Sequence, residues 1–157
     1  MEMSNKRRTN ILSGLADEAG ADIETQIAVH RELGWPHMEL RLVDGKNACG
    51  QLDDEEFGRA ARAIEESGMI ITCFASAIGN WSRHIEGDFG VDLAEMRTAV
   101  RRMNRLGVRY IRTMSWLGTG VDETEWRREV IRRYRELVKI AADGGVIIAH
   151  ENCTGCG

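Results

Sequence analysis

The sequence lacks a run of apolar residues long enough to cross a membrane, which needs about 18 of them in succession. Its first ten residues are charged and no apolar segment follows them, so they do not have the pattern of a signal peptide. The four cysteines, at positions 49, 73, 153 and 156, are too few and too irregularly spaced for a disulfide framework. We therefore expect a cytoplasmic protein that makes no membrane contact.

An excess of positive charge is also absent. The chain has 21 lysines and arginines against 25 aspartates and glutamates, a formal net charge of −4. This balance argues against a general nucleic-acid surface. The arginine pairs at 127–128 and 132–133 lie among glutamates on a predicted helix, where i,i+4 pairing is typical of a solvated face.

Short apolar runs alternate with longer segments whose apolar residues recur at helical spacing. We predict strands over residues 11–16, 37–42, 69–76, 108–114 and 146–151, and helices over residues 23–33, 54–67, 91–106 and 123–143. Glycines follow each predicted helix, as expected for left-handed C-caps. Asp22, Asp53 and Asp122 stand at the N-cap positions, and Glu56 completes a capping-box spacing with Asp53. The order β-α-β-α-β-α-β-α-β indicates parallel strands joined by helical crossovers.

Polar residues gather at the C-terminal ends of the predicted strands, which favours a barrel over an open doubly wound sheet. No G-x-G-x-x-G follows the first strand, so a dinucleotide site is not indicated. We predict an α/β protein of the (β/α) TIM-barrel type: a flexible tail at 1–10, then the first four β/α units and strand five at 11–157. A full barrel needs about 250 residues. We therefore expect a piece of a larger barrel, or a homo-oligomer whose copies complete one another.

The sequence resembles the sugar phosphate isomerase/epimerase family, a xylose isomerase-like TIM-barrel group that also contains endonuclease IV and inosose dehydratases. The similarity begins at Ile11 and covers the N-terminal half of the family's barrel. It rests on the segments Ser13-Gly14-Leu15-Ala16-Asp17-Glu18, Met38-Glu39-Leu40-Arg41-Leu42-Val43-Asp44-Gly45-Lys46-Asn47, Ser76-Ala77-Ile78-Gly79 and Glu151-Asn152.

This resemblance implies a divalent metal, Mn²⁺, Mg²⁺ or Co²⁺ and in some members Zn²⁺, held at the barrel mouth by Glu, Asp, His and Glu from strands five to eight. Glu151 matches the first ligand, and it is also the candidate group for proton transfer. The implied reaction is isomerisation or epimerisation of a sugar or sugar phosphate through an enediolate. The alternative for Glu151 is a structural ion pair with Arg112 on the adjacent strand.

Further candidates for substrate binding lie near the same strand ends. Glu39 and Arg41 share one side of a strand, so they either bind substrate hydroxyls or pair with each other. Lys46 either neutralises an anionic group or is an exposed loop lysine. The tryptophans either stack on a sugar ring or simply pack. The complete candidate set is Glu39, Arg41, Lys46, Ser76, Trp81, Arg112 and Trp116.

Two further features favour structural roles. His150 alternates away from Glu151 and should face the helices. Cys153-x-x-Cys156 has the spacing of a redox motif or half of a zinc site, but no second ligand pair accompanies it.

Alternative functions remain: an inosose-type dehydratase, an endonuclease IV-like phosphoesterase, or a non-catalytic half-barrel. The phosphoesterase would need histidines where this sequence has Glu39-Leu40-Arg41 and Phe74-Ala75-Ser76. We expect a small carbohydrate as the substrate and no nucleic-acid partner.

Overall fold

The computed structural model describes residues 10–153 of the chain. Residues 1–9, which make up most of the predicted tail, and Cys156 lie outside this range. The helices are α1 (Ile23–Glu32), α2 (Asp54–Ser67), α3 (Phe89–Leu106) and α4 (Glu123–Asp143). Within residues 10–153, no helix combines the length and the apolar character that a membrane span requires.

The main sheet consists of strands β1 (His37–Leu40), β4 (Ile70–Ala75), β5 (Tyr110–Thr113) and β6 (Ile147–His150). These four strands are parallel and lie in the order β1-β4-β5-β6. Strands β2 (Leu42–Val43) and β3 (Lys46–Asn47) form a small antiparallel hairpin after β1. The predicted parallel β/α order is confirmed for these strands.

The helix ends have the predicted caps. Asp22 accepts a hydrogen bond from the Thr25 backbone N–H, and Asp53 and Glu56 form a reciprocal capping box. Asp122 accepts from the first turn of α4 in the same way. Gly68 and Gly107 end α2 and α3 in the left-handed conformation. These ends depend on local chemistry, which is why the sequence predicts them.

The predicted first strand, at 11–16, is wrong in its extent. Only Leu15 forms a bridge, parallel to Glu39, and a short 3-10 helix begins at Ala16. Ile11 and Leu12 are exposed. Among the described residues, the backbone of this segment pairs only with β1, where the Glu39 N–H donates to the Gly14 carbonyl across 2.8 Å. Because the segment has only this one neighbouring strand within residues 10–153, most of its backbone N–H and C=O groups make no strand hydrogen bonds.

The second predicted strand, at 37–42, is also divided. It ends at Leu40, and the chain then makes the β2–β3 hairpin around Asp44 and Gly45. Both turn residues have positive φ, 52° and 76°. An Asp-Gly pair with positive φ at both positions is the chemistry of a tight two-residue hairpin turn. Lys46 therefore lies in a strand rather than in a loop.

The two faces of the main sheet differ in burial. One face packs against the helices and carries the fully buried side chains of Met38, Leu40, Phe74 and Ile111. Alternate residues on the other face include Ile70, Tyr110 and Ile147, all of which are exposed. In a closed barrel this second face lines the interior. The polar candidates of the sequence lie at its C-terminal edge.

Candidate functional site

Three polar residues meet at the C-terminal ends of adjacent strands. Arg112, near the end of β5, donates from Nη1 to Oε2 of Glu151, directly after β6, over 2.7 Å. Ser76, directly after β4, donates its hydroxyl to the Arg112 carbonyl over 2.6 Å. The parallel register brings these strand ends to one edge, as the sequence predicted.

Glu151 is fixed through its backbone and accessible through its side chain. Its N–H donates to the Thr113 carbonyl over 2.9 Å, which continues the β5–β6 ladder. Its side chain remains 45% exposed in the ion pair with Arg112. Oε1 has no hydrogen-bond partner within residues 10–153. The Arg112–Glu151 ion pair, the structural alternative given for Glu151, is therefore present. The second carboxylate oxygen of Glu151 is still accessible to a ligand as far as residues 10–153 are concerned.

A carboxylate oxygen is a suitable ligand for Mg²⁺ or Mn²⁺. The described residues, 10–153, contain no group of three or more His, Cys, Asp or Glu side chains that could surround a metal. Glu151 thus fits the role of one ligand among several, and the described residues do not form a complete metal site.

Arg41 and Glu39 are not paired with each other. The Arg41 guanidinium binds Asp17, at 2.9 Å from Nε to Oδ2, and Glu18, at 2.7 Å. The hydrogen bond from Asp17 raises the pKa of Arg41. Glu39 has no side-chain hydrogen bond to the described residues and pairs in register with Cys73. Of the two alternatives for these residues, the Glu39–Arg41 ion pair is therefore wrong, because Asp17 and Glu18 bind the guanidinium instead.

Lys46 is engaged away from the strand ends. Its ammonium binds Glu56, the capping-box residue of α2, and this hydrogen bond raises the pKa of Lys46. The neighbouring Asn47 is buried and donates to the Ala75 carbonyl over 3.1 Å, which fastens the hairpin to the end of β4. Sequence analysis did not identify this role of Asn47.

The two candidate tryptophans differ completely in exposure. Trp81, in the segment after β4, is 65% exposed and available to a ligand. Trp116, after β5, is fully buried. Its ring lies edge-on to Phe89 and Tyr134, and Arg133 stacks over it. The prediction that Trp116 contacts substrate is therefore not supported, because packing residues surround the ring.

Sequence analysis also missed a buried ionic cluster beside Trp116. Asp92 and Glu95 of α3 both bind the Arg83 guanidinium. Asp92 also accepts from the indole nitrogen of Trp116 over 2.9 Å. The available signal was weak: two carboxylates on the apolar side of a predicted helix.

The remaining candidates have structural surroundings. The His150 ring packs edge-on against Tyr134 of α4, so it faces the helices as expected. Burial raises the pKa of Cys73 to about 11 and that of Cys49 well above its ordinary value, which disfavours the reactive thiolate form of both. Cys153 is a free thiol, and its predicted companion Cys156 is outside the described residues.

A family model described as a xylose isomerase-like TIM barrel matches residues 27–157. No curated protein matches the chain. The fold is similar to that of a 3-keto-D-glucoside 4-epimerase from E. coli, at 19% identity and a TM-score of 0.64 over 90% of this chain and 56% of that one.

Two further solved structures share the fold. One is an AP endonuclease of family 2 from Brucella melitensis, with 16% identity, a TM-score of 0.66 and coverage of 88% of this chain and 53% of that one. The other is a xylose isomerase-like TIM-barrel protein from Mycobacterium smegmatis in complex with magnesium, with 20% identity, a TM-score of 0.62 and coverage of 89% and 54%. The chain spans about half the length of each of these proteins.

Proposed function

Because the chain belongs to the xylose isomerase-like TIM-barrel family, we propose that it forms part of a metal-dependent sugar or sugar phosphate isomerase or epimerase. The observation that carries the proposal is the Glu151 carboxylate. It lies at the C-terminal end of a parallel strand, where barrel enzymes have their chemistry. It is held by its backbone and by Arg112, and one of its oxygens has no hydrogen-bond partner among residues 10–153.

Glu151 would be one ligand of a divalent ion. When bound, such an ion supplies Lewis-acid stabilisation of negative charge on substrate oxygens. In our proposal the Glu151 carboxylate is also the candidate to remove the proton beside the substrate carbonyl. Arg112 orients this carboxylate by its hydrogen bond and adds positive charge next to it. The magnesium bound to one structure of the same fold agrees with a divalent ion.

Substrate contacts in this proposal come from the accessible side chains at the same edge. Trp81 offers an exposed aromatic face for the apolar side of a sugar ring. Glu39 is partly exposed on the open face of the sheet and can accept hydrogen bonds from hydroxyl groups. In this proposal the substrate is a small carbohydrate. Arg41 and Lys46 already have carboxylate partners and contribute less.

The endonuclease-like alternative is less well supported. A zinc phosphoesterase site needs several nitrogen or carboxylate ligands close together. The ends of β1 and β4, where such a site would need histidines, carry Arg41 and Ser76 instead, and the net charge of −4 does not favour DNA. The exposed Ile70, Tyr110 and Ile147 instead support the proposal that this face is covered, either by the rest of a barrel or by a second copy of the chain.

The test is metal-dependent proton exchange between substrate and solvent. The purified full-length protein, with every segment that contributes to the barrel, is incubated in D₂O with a panel of ketoses and ketose phosphates and with Mn²⁺, Mg²⁺ or Co²⁺. Loss of the substrate α-proton signal is followed by NMR. We expect exchange that needs metal and is lost in Glu151→Gln. Glu86→Gln is the matched control, because that carboxylate is exposed and contacts only His84 among the described residues. Absence of exchange in every combination would contradict the proposal.

A further inference from the structure

Two segments at the C-terminal end of the sheet are joined to each other by backbone hydrogen bonds. We call them the mouth loops: residues 76–88, between β4 and α3, and residues 114–122, between β5 and α4. The Met114 N–H donates to the Ile78 carbonyl over 3.0 Å, and the Trp116 N–H donates to the Gly79 carbonyl over 2.6 Å. Further along, Leu117 and Arg83 are joined over 2.8 Å. The mouth loops therefore extend the contact between β4 and β5 past the ends of both strands.

A buried ionic cluster lies beneath these loops. Asp92 is 1% exposed and Glu95 is 7% exposed, both on α3, and the Arg83 guanidinium binds the two carboxylates. Buried carboxylates are unfavourable unless they are paired and hydrogen-bonded. Here nearly every partner comes from the mouth loops: Asp92 accepts from the Gly79 N–H over 3.3 Å and from Trp116 Nε1 over 2.9 Å, and Glu95 accepts from the Ala77 N–H over 2.9 Å.

The backbone of each loop adopts a conformation that only its surroundings can hold. Trp116 has a φ of +61°, which is rare for a bulky side chain. Gly79 has a φ of +64°, and a Cβ atom there would lie 2.1 Å from the Met114 carbonyl oxygen. Such conformations persist where neighbouring structure over-determines them, and they cluster at functional sites. Each loop thus depends on the other for its shape.

Trp81 lies on a turn that is anchored on both sides. Gly79 is bound to Asp92 on one side, and Arg83 is bound to both carboxylates on the other. Within the turn, the Arg83 N–H donates to the Asn80 carbonyl over 3.0 Å. The exposed indole of Trp81 is therefore presented by a segment with little freedom left. A segment whose backbone is already ordered loses less entropy when a ligand binds.

We infer that Asp92 and Glu95, acting both directly and through Arg83, are positioning residues that hold the mouth loops as one rigid unit and fix the backbone at Trp81. This rigidity goes beyond the proposed function and does not depend on it. Only the identity of the ligand that meets Trp81 rests on that proposal. The region would act as a preformed platform rather than as a lid that closes over the site.

Amide hydrogen exchange by mass spectrometry tests the inference on the intact chain. In Asp92→Asn, we expect exchange to be at least tenfold faster in both mouth loops and unchanged in α1 and β1. NMR relaxation of the Trp81 indole should show greater mobility in the folded protein. Glu86→Gln is the matched control, since this loop carboxylate is exposed and lies outside the cluster. Uniformly faster exchange throughout the chain, or a change in one loop only, would overturn the inference.

Trp116→Phe provides a second and milder test, because it removes the indole N–H while retaining an aromatic ring. We expect faster exchange in residues 77–83, which belong to the other loop, together with increased mobility of Trp81. Unchanged exchange in residues 77–83 would show that the loops are independent. These hydrogen-exchange experiments are independent of the proton-exchange assay. Rigid loops without ketose activity would contradict only the proposed function. Ketose activity with independent loops would contradict only the inference about the loops.

Discussion

Arg112 and Glu151 form an ion pair across the ends of β5 and β6, with 2.7 Å between Nη1 and Oε2. The same carboxylate is the proposed metal ligand, so the arginine is both its support and a competing cation. A metal ion at Glu151 would lie within a few ångströms of the guanidinium charge, which repels it. The ion pair thus places an electrostatic limit on metal affinity at this position.

Replacing Arg112 by Gln should tighten Mn²⁺ binding. We expect an affinity gain of roughly tenfold, equivalent to about 1.4 kcal/mol, because the repulsion is removed while a hydrogen-bond donor is kept. Titration calorimetry, or the EPR signal of free Mn²⁺, would measure it. Glu151→Gln, which removes the proposed ligand, should abolish binding in the same assay. Weaker binding in Arg112→Gln would show instead that orientation of the carboxylate outweighs charge repulsion.

The buried cluster leads to a prediction for stability. Arg83 pairs with both Asp92 and Glu95, so Arg83→Met would leave two buried carboxylates without their cation. Removing one partner of a buried ion pair typically costs about 3–5 kcal/mol. We expect a loss of that size in the free energy of unfolding from urea denaturation. Arg59→Met, which breaks an exposed pair with Glu55, is the control and should change stability by less than about 1 kcal/mol.

Gly79 offers a test of the loop backbone. A methyl group at this position would lie 2.1 Å from the Met114 oxygen, and alanine also disfavours a φ of +64°. We expect Gly79→Ala to destabilise the protein by roughly 3 kcal/mol or more, since backbone strain of about 1–3 kcal/mol is added to a steric clash. Thermal or urea unfolding would measure the change.

Gly58→Ala is the matched control for that substitution. Gly58 lies inside α2, where an added Cβ makes only ordinary contacts, at 3.7 Å from Arg62 and 3.9 Å from Arg105. Alanine is about 1 kcal/mol better than glycine in a helix interior. A small gain in stability is expected here. Equal losses at both positions would contradict the assigned backbone constraint at Gly79.

Much of the fold could be predicted because its signals are local. Helical periodicity, aspartate N-caps and glycine C-caps each involve residues a few positions apart, and the structure confirms them. The prediction of the first strand was wrong because a strand forms only where a neighbouring strand pairs with it. Residues 11–16 pair at Leu15 alone. The β2–β3 hairpin was overlooked although Asp44-Gly45 carries a recognised turn signal, since the apolar run was interpreted as one continuous strand.

The candidate site was predictable only where strand register determines it. Arg112 and Glu151 meet because they lie at the C-terminal ends of two adjacent parallel strands, β5 and β6. The cluster of Arg83, Asp92 and Trp116 depends on the path of two loops, and no sequence spacing encodes that path. For the same reason the burial of Trp116 could not be foreseen from its place after a strand.

A final prediction concerns pH and the attachment of α4. Glu129 accepts hydrogen bonds from Arg132 and Arg133, and the bond from Arg132 is the main cause that lowers its pKa from 4.5 to about 2. A carboxyl group with a depressed pKa stabilises the folded state above its unfolded pKa, and that stability is lost as the pH falls. The difference in melting temperature between the unmodified protein and Glu129→Gln should therefore be largest above about pH 5 and become steadily smaller toward pH 2.

Calorimetry across this pH range would measure the difference, with Glu55→Gln in the exposed pair as the control. A difference that stays constant with pH would show that Glu129 contributes through packing, for example by holding Arg133 against the Gly87 carbonyl, rather than through its charge.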